Sequence, residues 1–243
     1  MVTIKINTPI IFNDNNFDNK KQLFCAFFFF FFTIIALGID SVTFLEKHFD
    51  GRQLTNFLAL FYFSIFFYVS NSFLRKLMFI MIFLSYLGEL LFCKLVGMYH
   101  YRTELIPFYV PLGHSIVYAS GYVLAHSSWA VRNDKILRII FIVFFSILFL
   151  SVGIFLGDVF SLFFGVFFFL ILKRKKWQNL YGFIALCVIF IELVGTYFKC
   201  WVWNHNTFGL ISTANPPMGA VFFYAGGDVL LMKIVSYWVK IRK

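Results

Sequence analysis

Two glutamates, Glu89 and Glu192, sit inside long apolar stretches, each about two helical turns before the end, roughly 12 Å along a helix at 1.5 Å per residue. A carboxyl at that depth in hydrocarbon is costly, and such groups face a bundle interior, a cavity or a partner. There a carboxyl is placed to act as a general acid or base. Some ten residues beyond each comes an aromatic-x-aromatic triplet, Tyr99-His100-Tyr101 and Trp201-Val202-Trp203. His114 and Asp228 complete the polar set. The candidate catalytic residues are therefore Glu89, His114, Glu192 and Asp228.

Other chemistries lack their residues. No HxxH or HxxxH joins His48, His100, His114, His126 and His205, and no GxxxxGK, HExxH or GxSxG occurs. Di-iron, ATPase, zinc-protease and intramembrane serine-protease readings have nothing to stand on, and neither metal nor cofactor is assigned. Asp228 and Lys233 are five apart, a poor same-face spacing for a Schiff base and its counter-ion. Cys25, Cys93, Cys187 and Cys200 form no CxxC and read as small buried hydrophobes, with a Cys93–Cys200 bridge as the alternative.

The elements that must position these residues are membrane helices. Of 243 residues, 61% are hydrophobic and 13% charged, whereas a soluble domain is about half apolar and a quarter charged. Apolar windows of spanning length fall near 22–39, 55–73, 77–98, 108–127, 136–156, 158–172, 179–199 and 218–239. The fifth and sixth are separated only by Gly157 and Asp158 and read as a tight helical hairpin, with one of them re-entrant as the alternative. The net charge of +10 is no sign of nucleic acid, because the basic residues sit in short loops. Every second loop is basic: Lys5, Lys20 and Lys21; Arg75 and Lys76; Arg132, Lys135 and Arg138; Lys173 to Lys176; and Lys240, Arg242 and Lys243. That alternation predicts an even number of spans with both termini cytoplasmic. The first span reads as a retained anchor, since the long polar start carries Asp14 and Asp18 and no small-x-small site comes after the apolar run. The triplets fall where aromatic belts belong.

The fourth and eighth windows share a pattern. Pro111-Leu-Gly113-His-Ser-Ile-Val-Tyr118-Ala119-Ser-Gly121-Tyr-Val123-Leu124 aligns without gaps on Pro217-Met-Gly219-Ala-Val-Phe-Phe-Tyr224-Ala225-Gly-Gly227-Asp-Val229-Leu230, with seven of fourteen positions identical. His114 stands opposite Ala220, and Asp228 opposite Tyr122. An offset of four helices preserves orientation, so the repeats would be parallel about an axis along the membrane normal. The expected fold is all-α and polytopic, with about eight transmembrane helices in two parallel four-helix repeats. A cytoplasmic polar segment, 1–21, precedes a first half, 22–127, and a second half, 128–243, with a short basic tail.

A carboxylate followed by Trp-x-Trp, a Gly, then Asn and Pro before the next span resembles the integral membrane carotenoid hydratases of the bisanhydrobacterioruberin hydratase type. The likeness covers Glu192 to Gly219 and, more loosely, Glu89 to Pro111. The first half lacks that family's Gly-x-Pro-[Phe/Tyr]-Gly stretch, and Asn215-Pro216-Pro217 replaces its Val-Pro-x-x-Asn. The resemblance implies addition of water to a polyene double bond, with Glu89, Glu192 or Asp228 as the acid. Tyr99, Tyr101, Trp201, Trp203 and Asn215 would then bind substrate, the rings flanking a carbocation by cation–π attraction. The implied partners are membrane lipids and an apolar lipid or isoprenoid, in the cell membrane if the host is bacterial. A proton-coupled transporter or channel and a non-catalytic scaffold are the other classes the residues allow. Residues 201–217 read either as an interfacial loop or as a lid over an outer cavity.

Overall fold

The computed structural model describes residues 20–103, 105–176 and 178–241. Most of the polar N-terminal segment, with Arg242 and Lys243 of the basic tail, lies outside the described residues. Within them the chain is all-α apart from four short strands. The helices are α1 (Lys20–Ile39), α2 (Val42–Lys47), α3 (Arg52–Val69), α4 (Ser72–Glu89), α5 (Tyr109–Ala125), α6 (Ser128–Arg132), α7 (Asp134–Phe155), α8 (Val159–Arg174), α9 (Asn179–Tyr197) and α10 (Val221–Ile241). The strands are β1 (Tyr99–Tyr101), β2 (Trp201–Trp203), β3 (Asn206–Thr207) and β4 (Ile211–Ser212).

Eight of these helices lie on the eight apolar windows; α2 and α6 are single short turns. Five are long and apolar enough to cross a membrane: Lys20–Ile39, Ser72–Leu95, Asp134–Phe155, Asn179–Tyr197 and Met218–Lys240. The other three, α3, α5 and α8, fall short by length or composition. The outer surface marks lipid as a solvent. On α7, Ile136, Ile139, Ile140, Val143, Ile147, Leu150 and Ile154 form an exposed stripe at helical spacing, while Leu137, Phe141, Phe145 and Phe149 are buried on the opposite face. Both faces are apolar, as a helix between protein and hydrocarbon requires.

Helix α5 is the central post, packed against α1, α3, α4 and α9. Gly121 lets α9 approach so closely that a Cβ there would stand 2.8 Å from the Ile184 Cα. Pro111 is the third residue of α5, where no intrahelical N–H bond is lost. Helices α7 and α8 pack together across a turn at Leu156–Asp158, with Gly157 at φ 63°. Asp158 caps α8 through the Ser161 N–H at 2.9 Å, and the Ser161 hydroxyl accepts from the Gly219 N–H at 2.8 Å. That bond ties the start of α8 to the 3₁₀ turn Met218–Ala220 that opens the last helix.

Candidate functional site

The two triplets are not an aromatic belt. They are β1 and β2, paired antiparallel with Tyr99 opposite Trp203, His100 opposite Val202 and Tyr101 opposite Trp201. The ribbon extends by Arg102 N–H to the Cys200 carbonyl at 2.9 Å and Asn204 N–H to the Met98 carbonyl at 3.0 Å. Alternate residues of a strand face the same side. Hence both outer members of each triplet turn inward onto one carboxyl.

Each glutamate has three side-chain hydrogen-bond partners. The hydroxyls of Tyr99 and Tyr101 donate to Oε2 of Glu89 at 2.9 and 2.7 Å, and Nε2 of His114 lies 3.0 Å from its Oε1. The indole N–H groups of Trp201 and Trp203 donate to Oε2 of Glu192 at 2.9 and 3.0 Å, and the Tyr224 hydroxyl lies 3.0 Å from its Oε1. Both carboxyls are buried, at 4% and 5% exposure. The spacing from carboxyl to triplet is bridged differently in the two cases. After Glu89 the helix widens into a π-helical segment, Leu90–Leu95, and Gly97 turns the chain at φ 67°. After Glu192, α9 continues to Tyr197 and Lys199 makes the turn at φ 55°.

The donor types decide where a proton can reside. An indole N–H can only donate. With both indoles on Oε2, a proton on Glu192 belongs on Oε1, where the Tyr224 oxygen can accept it. The two tyrosine hydroxyls likewise leave Oε1 of Glu89 to exchange with His114. The His114 and Tyr224 rings stack with centroids 5.1 Å apart and an 18° interplanar angle. The proton-exchanging sides of both carboxyls therefore meet at one aromatic pair.

Two cavities flank this pair. One of about 530 Å³ lies between α4 and α10, and one of about 70 Å³ lies among α1, α3, α5 and α9. Glu89, Tyr99, His114, Glu192 and Tyr224 line both. The larger falls within the roughly 300–1,000 Å³ of small-molecule sites. The smaller has room for a few waters, since one needs roughly 10–15 Å³ by the same measure.

Asp228 is not bonded to this cluster. It lines the larger cavity at 2% exposure, and its Oδ2 has no hydrogen-bond partner among the described residues. A buried oxygen left unpaired costs about 1–3 kcal/mol. Tyr101 and Trp201 line the smaller cavity and Trp203 the larger. Asn215 lines neither; its side-chain oxygen accepts the Trp203 N–H at 3.1 Å and so braces β2. The segment beyond Trp203 folds as the β3–β4 hairpin, closed by the Thr207–Thr213 hydroxyl pair at 2.8 Å and resting on the α7–α8 turn through Ser212. All four cysteines are free; the Cys200 Sγ donates to the Leu37 carbonyl at 3.3 Å.

Sequence reasoning missed two supports. Gly195 lies one turn beyond Glu192 on α9, and a Cβ there would stand 2.0 Å from the Trp201 ring. Its missing side chain is the notch through which that indole reaches Glu192. The second support is an ion-pair cluster at the end of the bundle that carries the ribbon. Asp40, 1% exposed, accepts from Arg102 Nη2 and from the Tyr109 hydroxyl, each at 2.8 Å, with Arg52 at 3.8 Å. Arg102 also bonds Asp50 at 2.6 Å. That hydrogen bond is the main reason the half-exposed Asp50 carboxyl is held below its ordinary value. The cluster anchors β1, which immediately precedes Arg102, against α1 and α3.

No family model matches the chain, and no curated protein or solved structure is significantly similar to it.

Proposed function

We propose that this chain is an integral membrane enzyme that moves protons to and from an apolar, lipid-borne substrate, with hydration of an alkene as the reaction. The observation that carries this reading is the shared wall. Two buried carboxyls, each fixed by three partners, stand between an apolar chamber of about 530 Å³ and a small chamber of about 70 Å³. In the proposed reaction the Glu192 proton, held on Oε1, passes to the alkene and its π pair forms the new C–H bond. The cationic carbon is flanked by Tyr99, Trp203 and Tyr224 and captured by water from the smaller chamber. The proton lost by that water passes to Glu89 through His114, and the stacked pair returns it to Glu192. Atoms and charge balance, and the enzyme ends as it began.

The same reading takes the chain as eight spans with both termini cytoplasmic, built from two parallel repeats. It is supported by the alternation of basic loops, by the seven identical positions, and by the β1–β2 register centred on the middle residue of both triplets. The test uses protein reconstituted in nanodiscs with neutral lipid extracted from its host, in oxygen-labelled water. Mass spectrometry is expected to find an apolar lipid that gains one labelled water with wild type and not with Glu192→Gln. No labelled product, together with coupled proton flux in vesicles, would overturn the enzyme in favour of a transporter.

A further inference from the structure

The larger cavity has a polar feature that alkene hydration does not use. Asp228 lies four residues after Tyr224 on α10, on the same helix face and about 6 Å farther along. The Ser85 and Tyr118 hydroxyls also line the cavity but donate to the Ile82 carbonyl and the Met232 sulfur, and nothing among the described residues satisfies Oδ2. A buried carboxyl that lines a chamber of ligand size and keeps an oxygen without a donor is where a ligand's donor belongs.

The route to it is sideways. Leu87 and Leu91 next to Glu89, and Leu230 on α10, line the cavity and are also 62%, 44% and 46% exposed on the outer surface. They belong to two of the helices that are long and apolar enough to cross a membrane. The mouth therefore opens through the lipid-facing side of the bundle. Gly88, Gly226 and Gly227 leave the space behind it clear, since a Cβ at any of them would meet nothing within 4 Å.

We infer that the cavity takes a long-chain alcohol from the bilayer, with its hydroxyl received by Asp228 one helical turn from the reacting carbon. This deepens the functional reading and rests on it for the reacting carbon alone. The hydroxyl would fix which double bond meets Glu192, so Asp228 is a specificity residue. Its distance from the acid cluster sets the spacing between hydroxyl and alkene in the substrate.

The test is photolabelling in nanodiscs with two probes, hexadecanol and hexadecane, each bearing the same chain diazirine. In wild type the alcohol is expected to label α4 and α10 peptides roughly five- to tenfold more than the hydrocarbon, the worth of one buried hydrogen bond. Asp228→Leu should abolish the preference while hydrocarbon labelling persists, which also shows that the variant is folded. Gly226→Phe should block both probes. Equal labelling of wild type by the two probes, or a preference that survives Asp228→Leu, would overturn the inference. Because the readout needs no turnover, failure of the hydration reading leaves this result independent.

Discussion

The donor geometry at Glu192 makes replacement by Gln and by Leu sharply different. In Glu192→Gln the amide oxygen can occupy the Oε2 position and accept both indole N–H groups. The amide nitrogen then donates to the Tyr224 oxygen, so every bond at 2.9–3.0 Å keeps a partner. The expected change in stability is under about 1 kcal/mol. In Glu192→Leu the indole N–H groups of Trp201 and Trp203, on side chains only 8% and 5% exposed, face carbon. At about 1–3 kcal/mol for each unpaired donor, the loss is about 2–6 kcal/mol. At roughly 2–4 °C per kcal/mol for a chain of this size, the melting temperature should fall by about 4–24 °C. Tryptophan fluorescence during a thermal scan in nanodiscs reads both effects, because the affected rings are the reporters. Activity should separate from stability: Glu192→Gln keeps the fold and loses roughly a hundredfold or more of turnover, since the amide has no proton to give. A Gln variant that melts with the Leu variant refutes the donor scheme. One that keeps wild-type turnover refutes the acid role.

Other parts of the bundle carry four further expectations. Gly195→Ala should push the Trp201 ring off Glu192, seen as a red shift in tryptophan emission; unchanged emission and melting would show that the notch is not needed. Arg102→Met strips the buried Asp40 of its closest cation and should cost about 3–5 kcal/mol, against under about 1 kcal/mol for Asp50→Asn at the half-exposed partner. Because the folded pKa of Asp50 is depressed, its small contribution is complete above the ordinary carboxylate value and fades as pH falls through the lowered one; acid melting of Asp50→Asn against wild type measures it. Single-cysteine labelling in a Cys-free background should find Arg174 on the cytoplasmic side and Asn206 and Arg102 outside, and cytoplasmic labelling of Asn206 would defeat the eight-span topology.

The helical windows were legible because lipid imposes long apolar runs, and Glu89 and Glu192 stood out because acids in such runs are rare. The triplets were visible but misplaced. Three residues are too few for a period of two to distinguish a strand from an aromatic belt, and β1 and β2 stabilise one another only across 102 residues of sequence. Nothing near Arg102 in the sequence marks its role, because its partner Asp40 lies 62 residues earlier. Asn215 read as a ligand contact because nothing local reveals that its acceptor is engaged by Trp203. The gap-free alignment also set Tyr118 opposite Tyr224, yet Tyr118 donates to the Met232 sulfur while His114 takes the place at Glu89. The two helices begin differently: α5 is α-helical from Tyr109, whereas α10 comes after the 3₁₀ turn Met218–Ala220. His114 and Tyr118 are four residues apart and so share a face of α5, and the position that serves the carboxyl differs between the two helices by one turn, about 6 Å along the axis.

That shift of one turn bears on the chemistry. If matched positions had stayed matched, each glutamate would have met a tyrosine from the next long helix and the two sites would be equivalent. Instead Glu89 is held by two tyrosines and a histidine, all of which can exchange protons. Glu192 is held by two indoles that cannot, with Tyr224 as its one outlet. A proton on Glu192 is thereby insulated except toward the cavity and the His114–Tyr224 stack, while Glu89 sits in a relay. In the proposed reaction this division sets the direction of proton flow. The insulated acid delivers the proton to carbon, and the connected one collects it from water. Under this proposal the difference in donors between the two carboxyls assigns the roles.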